Sequence, residues 1–164
     1  MLLTIVKNKM GSAPKLIISL IIPQLAGGIG SLFTMNSVGT WYQILEKPFF
    51  SPPNWVFAPV WTTLFILMGV ALFLVWKKDY VPGRNLALWV FGIQLALNVL
   101  WSFVFFGMHQ PGWAMAEILV LWFAIAANML AFHHVSKAAG WLLLPYLLWV
   151  SFAAVLNCAI WRLN

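Results

Sequence analysis

The residues best suited to chemistry in this chain are aromatic. The sequence contains eleven tryptophans, and several of them share helical spacing with other aromatic, small or polar residues, so that each set lies on one helix face. These sets are Trp61 with Phe65; Asn98 with Trp101 and Ser102; and Trp149 with Ala153, Leu156 and the neighbouring Asn157. Indole walls with a few polar groups favour a flat, conjugated, mostly apolar ligand, since stacking adds about 0.5–1.5 kcal/mol per aromatic pair. The same spacing also fits ordinary core packing, the commoner origin of an aromatic stripe.

Groups that could catalyse a reaction or bind a metal are few. The chain has three acidic residues, three histidines and one cysteine, and they do not assemble into a nucleophile, a base and an orienting group. Cys158 stands alone, which predicts neither a disulfide nor a cysteine metal site. His109, His133 and His134 could ligate haem iron, but their positions near helix ends favour an interfacial role. Glu117 lies inside an apolar stretch, where an interfacial carboxylate is favoured over a proton relay.

The elements that position these residues are membrane-spanning helices. With 63% hydrophobic and 7% charged residues and a mean hydropathy of +0.94, the composition excludes a soluble globular domain. Five stretches without Asp, Glu, Lys or Arg are each long enough for a helix across the roughly 30 Å hydrocarbon core. The sequence therefore predicts an all-α integral membrane protein, a five-transmembrane-helix bundle in a single domain over residues 1–164. The helices are predicted at about 16–35, 54–76, 85–106, 113–134 and 141–161.

The connection between the first two helices, residues 36–53, is longer than structureless loops usually are. It carries aromatic residues, among them Trp41 and Tyr42, and several prolines, which is unlike a solvated tether. The sequence therefore predicts a lid loop. Ser51, directly before Pro52, is predicted to cap the second helix.

Small side chains recur four residues apart in the first helix, at Ala26, Gly27, Gly30 and Ser31. Such residues let another helix backbone approach closely in lipid. Packing within the chain is favoured over a seam between two copies.

The basic residues flank helices rather than forming a stripe, so the net charge of +6 does not indicate nucleic-acid binding. With five spans, one membrane side receives Lys7, Lys9, Lys15, Lys77, Lys78, Arg84 and Lys137, and the other receives Lys47 and Arg162. The positive-inside rule then places the N-terminus in the cytoplasm. The basic start would also fit a signal peptide, but the apolar run that follows is longer than a typical signal-peptide core.

Several segments together resemble the translocator protein (tryptophan-rich sensory protein) family, in its bacterial form. They are Trp41–Pro48, Ser51–Trp61, Asn98–Ser102 with Phe105–Gly107, Trp122, and Pro145–Trp149 leading to Ala153 and Leu156-Asn157. The resemblance runs from about residue 40 to the C-terminal end of the chain.

This resemblance implies a five-helix bundle, commonly a homodimer in the membrane lipid, with a pocket beneath the first loop. In the family this pocket binds porphyrins such as protoporphyrin, benzodiazepine-type drugs and, in animal members, cholesterol. By analogy the ligand contacts here are Tyr42, Trp61, Phe65, Asn98, Trp101, Ser102, Trp149, Ala153 and Leu156. No cofactor is required, since porphyrin is the ligand. The tyrosine that animal members carry in a cholesterol motif at the end of helix five is missing here, which argues against tight sterol binding.

The leading functional hypothesis is a membrane sensor that binds porphyrins and regulates tetrapyrrole or stress metabolism. The alternative is an enzyme, because some bacterial members promote light-dependent porphyrin breakdown, and Trp61 and Trp149 match the positions involved. A porphyrin transporter ranks third, because inverted repeats and charged midplane residues are not visible in the sequence. Lys47 and Arg162, the basic residues on the side of the pocket, are candidates to pair with porphyrin propionates.

The unequal distribution of basic residues between the two membrane sides predicts a cytoplasmic N-terminus and a C-terminus on the opposite side, which can be measured. We expect a cysteine placed in a C-terminal tag, on a background in which Cys158 is replaced by serine, to react with a membrane-impermeant thiol reagent added from outside the cytoplasm. Arg162 near the C-terminus would then lie opposite the basic cluster. Labelling of the tag only from the cytoplasmic side would refute this orientation.

Overall fold

The computed structural model describes residues 11–79 and 81–164, and its regular elements there are all helices. They are α1 (Ser12–Val38), α2 (Trp41–Ile44), α3 (Asn54–Trp76), α4 (Arg84–Ser102), a π-helical turn (Phe103–Gly107), α5 (Pro111–Val135), α6 (Lys137–Leu142) and α7 (Leu144–Leu163). Five segments are long and apolar enough to cross a membrane when the π-helical turn is counted with α4, and α6 with α7. The predicted five-helix membrane bundle is therefore confirmed, while Lys7 and Lys9 of the basic cluster lie outside the described residues.

The first helix extends further than predicted. α1 ends at Val38 rather than near residue 35, and the short helix α2 occupies part of the predicted loop. Ser37, which lies beyond the predicted end, belongs to the helix and is buried. In the structure the Ser37 hydroxyl donates a hydrogen bond to the backbone carbonyl of Phe106, 2.6 Å away, so this polar side chain is satisfied inside the bundle.

The last span begins earlier than predicted and is interrupted. Instead of one helix from about residue 141, α6 begins at Lys137 and gives way to α7 at Leu143. Pro145 lies in the first turn of α7, where its missing N–H removes a hydrogen bond that would otherwise continue the helix.

Ser51 does not cap α3, so that prediction is wrong. The helix begins at Asn54, with Pro53 at the cap position and no side-chain hydrogen bond to the cap. The backbone carbonyl of Pro53 accepts from the Val56 amide, 3.0 Å away. Because proline fixes its own φ, the tandem prolines carry the chain in an extended form past Ser51 before the helix can start.

Glycines allow α1 to contact both α3 and α4. A Cβ atom on Gly69 would lie 2.8 Å from the Leu20 Cα atom, so α3 and α1 meet there backbone to backbone. Further along α1, Gly27 makes room for the Phe65 ring, and a Cβ on Gly30 would lie 3.2 Å from the Ser102 hydroxyl oxygen. These small residues thus pack within the chain, as the sequence favours.

Candidate functional site

A cavity of about 670 Å³ lies between α1, α3, α4 and α7. It is on the membrane side occupied by residues 39–53, which we call the loop side. All nine predicted ligand contacts line it: Tyr42, Trp61, Phe65, Asn98, Trp101, Ser102, Trp149, Ala153 and Leu156. These residues come from α2, α3, α4 and α7, which are distant in sequence and meet at the cavity. Their contact with a ligand stays a prediction.

Ring packing fixes the indoles that face the cavity. Trp61 stacks on Phe65 with a centroid distance of 5.5 Å and an interplanar angle of 28°. Trp101 stacks on Phe105 at 5.1 Å and 23°. Trp149 meets Phe57 edge to face at 5.9 Å. The rings are therefore held in defined planes, so that they can offer flat surfaces to a conjugated ligand without rearranging.

Hydrogen bonds between helices hold the polar groups of the cavity. The Asn98 amide nitrogen donates to the Tyr146 hydroxyl oxygen at 2.9 Å. The Trp101 indole nitrogen donates to the Asn157 Oδ1 atom at 3.2 Å, and Asn157 Nδ2 donates to the Pro111 carbonyl at 2.8 Å. Asn157 lines the cavity together with the predicted contacts. These bonds fix the amide orientations, since each asparagine donates one hydrogen bond from its amide nitrogen to a neighbouring helix.

Trp122 of the family segments and the acidic residue Glu117 both lie away from the cavity. Trp122 donates from its indole nitrogen to the Ser151 hydroxyl at 2.8 Å and does not line the cavity. Glu117 lies on α5 beside a separate shallow groove that contains Val104 and Trp113. Neither residue can contact a ligand in the main cavity. No group of three or more metal-ligating side chains occurs within residues 11–79 and 81–164.

The two propionate candidates also do not line the cavity. The Lys47 ammonium donates to the backbone carbonyls of Gln43 and Leu45 at 3.4 and 3.2 Å, and it lies 4.7 Å from the centroid of the Tyr42 ring. Arg162 is exposed near the end of α7. Lys47 thus reaches the cavity only through Tyr42, which separates the ammonium from the space below.

The loop is tied to the bundle by a contact that sequence reasoning missed. Trp41 stacks on His109 with a centroid distance of 4.4 Å and an interplanar angle of 18°. The Ser37 oxygen lies 3.1 Å from His109 Nε2. Because the Ser37 proton is donated to Phe106, its oxygen accepts a hydrogen bond from the Nε2–H of His109. His109 therefore anchors the loop, a role beyond that of the interfacial residue predicted from its position.

Tyr42 forms the roof of the cavity and is only 4% exposed. Its ring packs edge to face against Phe106, with centroids 5.7 Å apart. Burial raises the pKa of the Tyr42 phenol, and the nearby Ser51 hydroxyl opposes part of this rise. The phenol therefore stays neutral at physiological pH.

A second tie joins the loop to the end of α7. The Glu46 amide donates to the Asn164 side-chain oxygen at 3.0 Å, and the Asn164 side-chain nitrogen donates to the Glu46 carbonyl at 3.1 Å. With His109 on one flank and Asn164 on the other, the loop is fixed at two separate points.

The fold and the cavity define a class: a five-helix integral membrane protein with an aromatic cavity roofed by a folded loop. A sequence model described as the TspO/MBR family matches residues 19–162. The chain belongs to this family, which confirms the resemblance that the tryptophan-rich segments indicate.

Relatives span bacteria, archaea and animals. The tryptophan-rich protein TspO of Chlorobaculum tepidum is 49% identical over 142 residues, which cover 84% of this chain and 88% of the relative. The protein of the same name from Archaeoglobus fulgidus is 43% identical over 150 residues, covering 92% and 97%. The translocator protein of Homo sapiens is 41% identical over 144 residues, covering 87% and 85%. The similarity therefore extends over nearly the whole length of each protein.

The His109 anchor can be tested by hydrogen exchange. We expect His109→Ala to increase the exchange rate of the amides of residues 40–50 about tenfold, because a stacking contact and a hydrogen bond are lost together. His134→Ala is the matched control, since His134 is exposed on the opposite side of the membrane from the loop. Equal protection of the loop in the two variants would show that His109 does not hold it.

Proposed function

We propose that this protein is a membrane receptor that binds porphyrins and related flat hydrophobic molecules in its aromatic cavity and thereby senses tetrapyrrole or stress metabolism. The observation that carries the proposal is the convergence of Trp61, Trp101 and Trp149 from three helices on one space. The cavity volume of about 670 Å³ lies within the range of about 300–1,000 Å³ for small-molecule sites.

The walls suit a conjugated ring more than a flexible chain. Trp61 and Trp149 provide fixed aromatic surfaces, and stacking rewards a planar ligand by about 0.5–1.5 kcal/mol per aromatic pair beyond burial. The indole N–H of Trp149 is buried without a hydrogen-bond partner among the residues that the structure describes. An unpaired buried donor is costly, and because this atom is closed off from the cavity space, a ligand acceptor could pair with it only after a shift of the ring.

A porphyrin in this cavity would direct its propionates toward the loop side, since carboxylates must stay hydrated or paired. Lys47 and Arg162 are the basic residues on that side within the described part of the chain. Lys47 would have to exchange its bonds to the loop carbonyls for a carboxylate. The contribution of such exposed pairs is about 0 to 1 kcal/mol and decreases with salt.

The central prediction concerns Trp149. We expect Trp149→Ala to weaken protoporphyrin binding by about 1–3 kcal/mol, because a buried aromatic surface is lost from the cavity wall. Trp89→Ala is the control. Trp89 is 74% exposed on α4, and its replacement removes one indole from the fluorescence signal just as Trp149→Ala does. Titrations are done in the dark, and a parallel sample kept in the light is analysed for porphyrin products, because a light-dependent enzyme would convert the pigment there whereas a receptor returns it unaltered. An unchanged Kd for a folded Trp149→Ala variant would contradict the assigned site.

The propionate pairing has its own test. Replacing Lys47 and Arg162 together by glutamine should weaken binding of dicarboxylate protoporphyrin up to about fivefold at low salt and leave its dimethyl ester unaffected. The ester is the matched control, because it keeps the ring and loses the charges. Equal losses for acid and ester, or no loss for either, would exclude the pairing.

A further inference from the structure

The wall of the cavity is incomplete on one side. Most of its lining residues are buried or half-buried, but a set on α1 and α3 is exposed on the outer surface of the bundle. This set comprises Gly28, Ser31 and Met35 on α1, and Asn54, Ala58 and Thr62 on α3. Residues that face the cavity and the exterior at once mark an opening, which we call the α1–α3 window.

The window follows from how α1 crosses its neighbours. Near residue 20 the backbone of α1 touches α3 at Gly69. Toward the loop side α1 leans on the α4 segment instead, where Gly30 faces Ser102 and Ser37 bonds to the Phe106 carbonyl. α1 and α3 therefore separate as they approach the loop.

A hydrogen bond closes the window from below. The Gln24 side-chain nitrogen donates across the two helices to the Thr62 carbonyl at 3.4 Å. Above it Gly28 contributes no side chain, and a Cβ atom built there would meet nothing within 4 Å.

The window runs from the loop-side ends of α1 and α3 down into the hydrocarbon region. Gly28 precedes the end of α1 by ten residues, which corresponds to about 15 Å of helix, and Ala58 follows the start of α3 by four residues, or about 6 Å. An opening at this depth faces lipid acyl chains. The roof, in contrast, is held by His109, Asn164 and the packing of Tyr42.

We infer that ligands exchange between the cavity and the bilayer sideways, through the α1–α3 window. This inference rests on the proposed function and deepens it, because it specifies the ligand class: hydrophobic molecules already dissolved in the loop-side leaflet. Lateral exchange leaves the roof contacts intact, whereas entry through the roof would require the Ser37, His109 and Asn164 bonds to open.

Three glycines provide a matched test. Gly28 lies in the window, Gly39 lies at the cavity edge beneath the loop, and Gly92 is exposed on α4 and does not line the cavity. A Cβ atom on any of them would meet nothing within 4 Å. A side chain can therefore start at each position without a clash at its Cβ atom. Each glycine is replaced by tryptophan in turn. The three variants and the wild type are compared in nanodiscs by stopped-flow fluorescence with protoporphyrin in the dark, together with equilibrium titration. Gly28→Ala and Gly28→Leu extend the series in size.

We expect Gly28→Trp to slow both association and dissociation about tenfold or more and to change Kd much less, since an obstructed passage affects both directions. Rates should fall in the order Ala, Leu, Trp at Gly28 and stay within about twofold of wild type for Gly39→Trp and Gly92→Trp. If the association and dissociation rates do not depend on side-chain size at Gly28, or if they fall in Gly39→Trp instead, the lateral route is wrong. Either result would leave the receptor proposal intact. Failure of the wild type to bind protoporphyrin would overturn the receptor proposal and, with it, the inference.

Discussion

The close approach of α1 to α3 at Gly69 is the contact on which the architecture of the site depends. With the Gly69 Cβ position only 2.8 Å from the Leu20 Cα atom, this crossing has no room for a side chain. Helices that touch at one level and cross at an angle must separate at another. The space that opens toward the loop side is the cavity, and its volume thus originates in a glycine on the far side of the bundle.

Lipid makes polar contacts between helices important for holding this arrangement. Lipid tails are as apolar as the helices, so hydrophobic burial does little to drive helices together, and close packing and hydrogen bonds must contribute. The interhelical bonds from Asn98 to Tyr146, from Trp101 to Asn157 and from Trp122 to Ser151 serve this purpose. In membrane proteins each such bond contributes about 0.6–2 kcal/mol. The first two also orient cavity residues, so the groups that stabilise the bundle shape the site as well.

Local patterns in the sequence were sufficient to predict the membrane-spanning helices and most residues of the cavity wall. Charges are excluded from hydrocarbon, so gaps between them delimit the helices, and the bounds of α3 agree with the predicted 54–76. The helical spacing of the aromatic residues and the family resemblance together predicted Trp61, Trp101 and Trp149 as cavity residues. The loop anchors could not be found this way. Ser37 and His109 are 72 residues apart and Glu46 and Asn164 are 118 apart, and no local periodicity links such pairs.

Placing the site in a bilayer also constrains how it can discriminate between ligands. A molecule that moves from acyl chains into an apolar cavity leaves one oily environment for another, so burial alone yields little affinity relative to the membrane. Selectivity must come from terms that lipid cannot offer: shape, stacking against fixed rings, and hydrogen bonds to prealigned groups. The internal bonds of Asn98 and Asn157 and the ring pairs of Trp61 and Trp101 supply this preorganisation. A flexible aromatic cavity of the same volume would lose part of the stacking energy in ordering its own side chains, and a planar ligand would then gain less over the surrounding acyl chains.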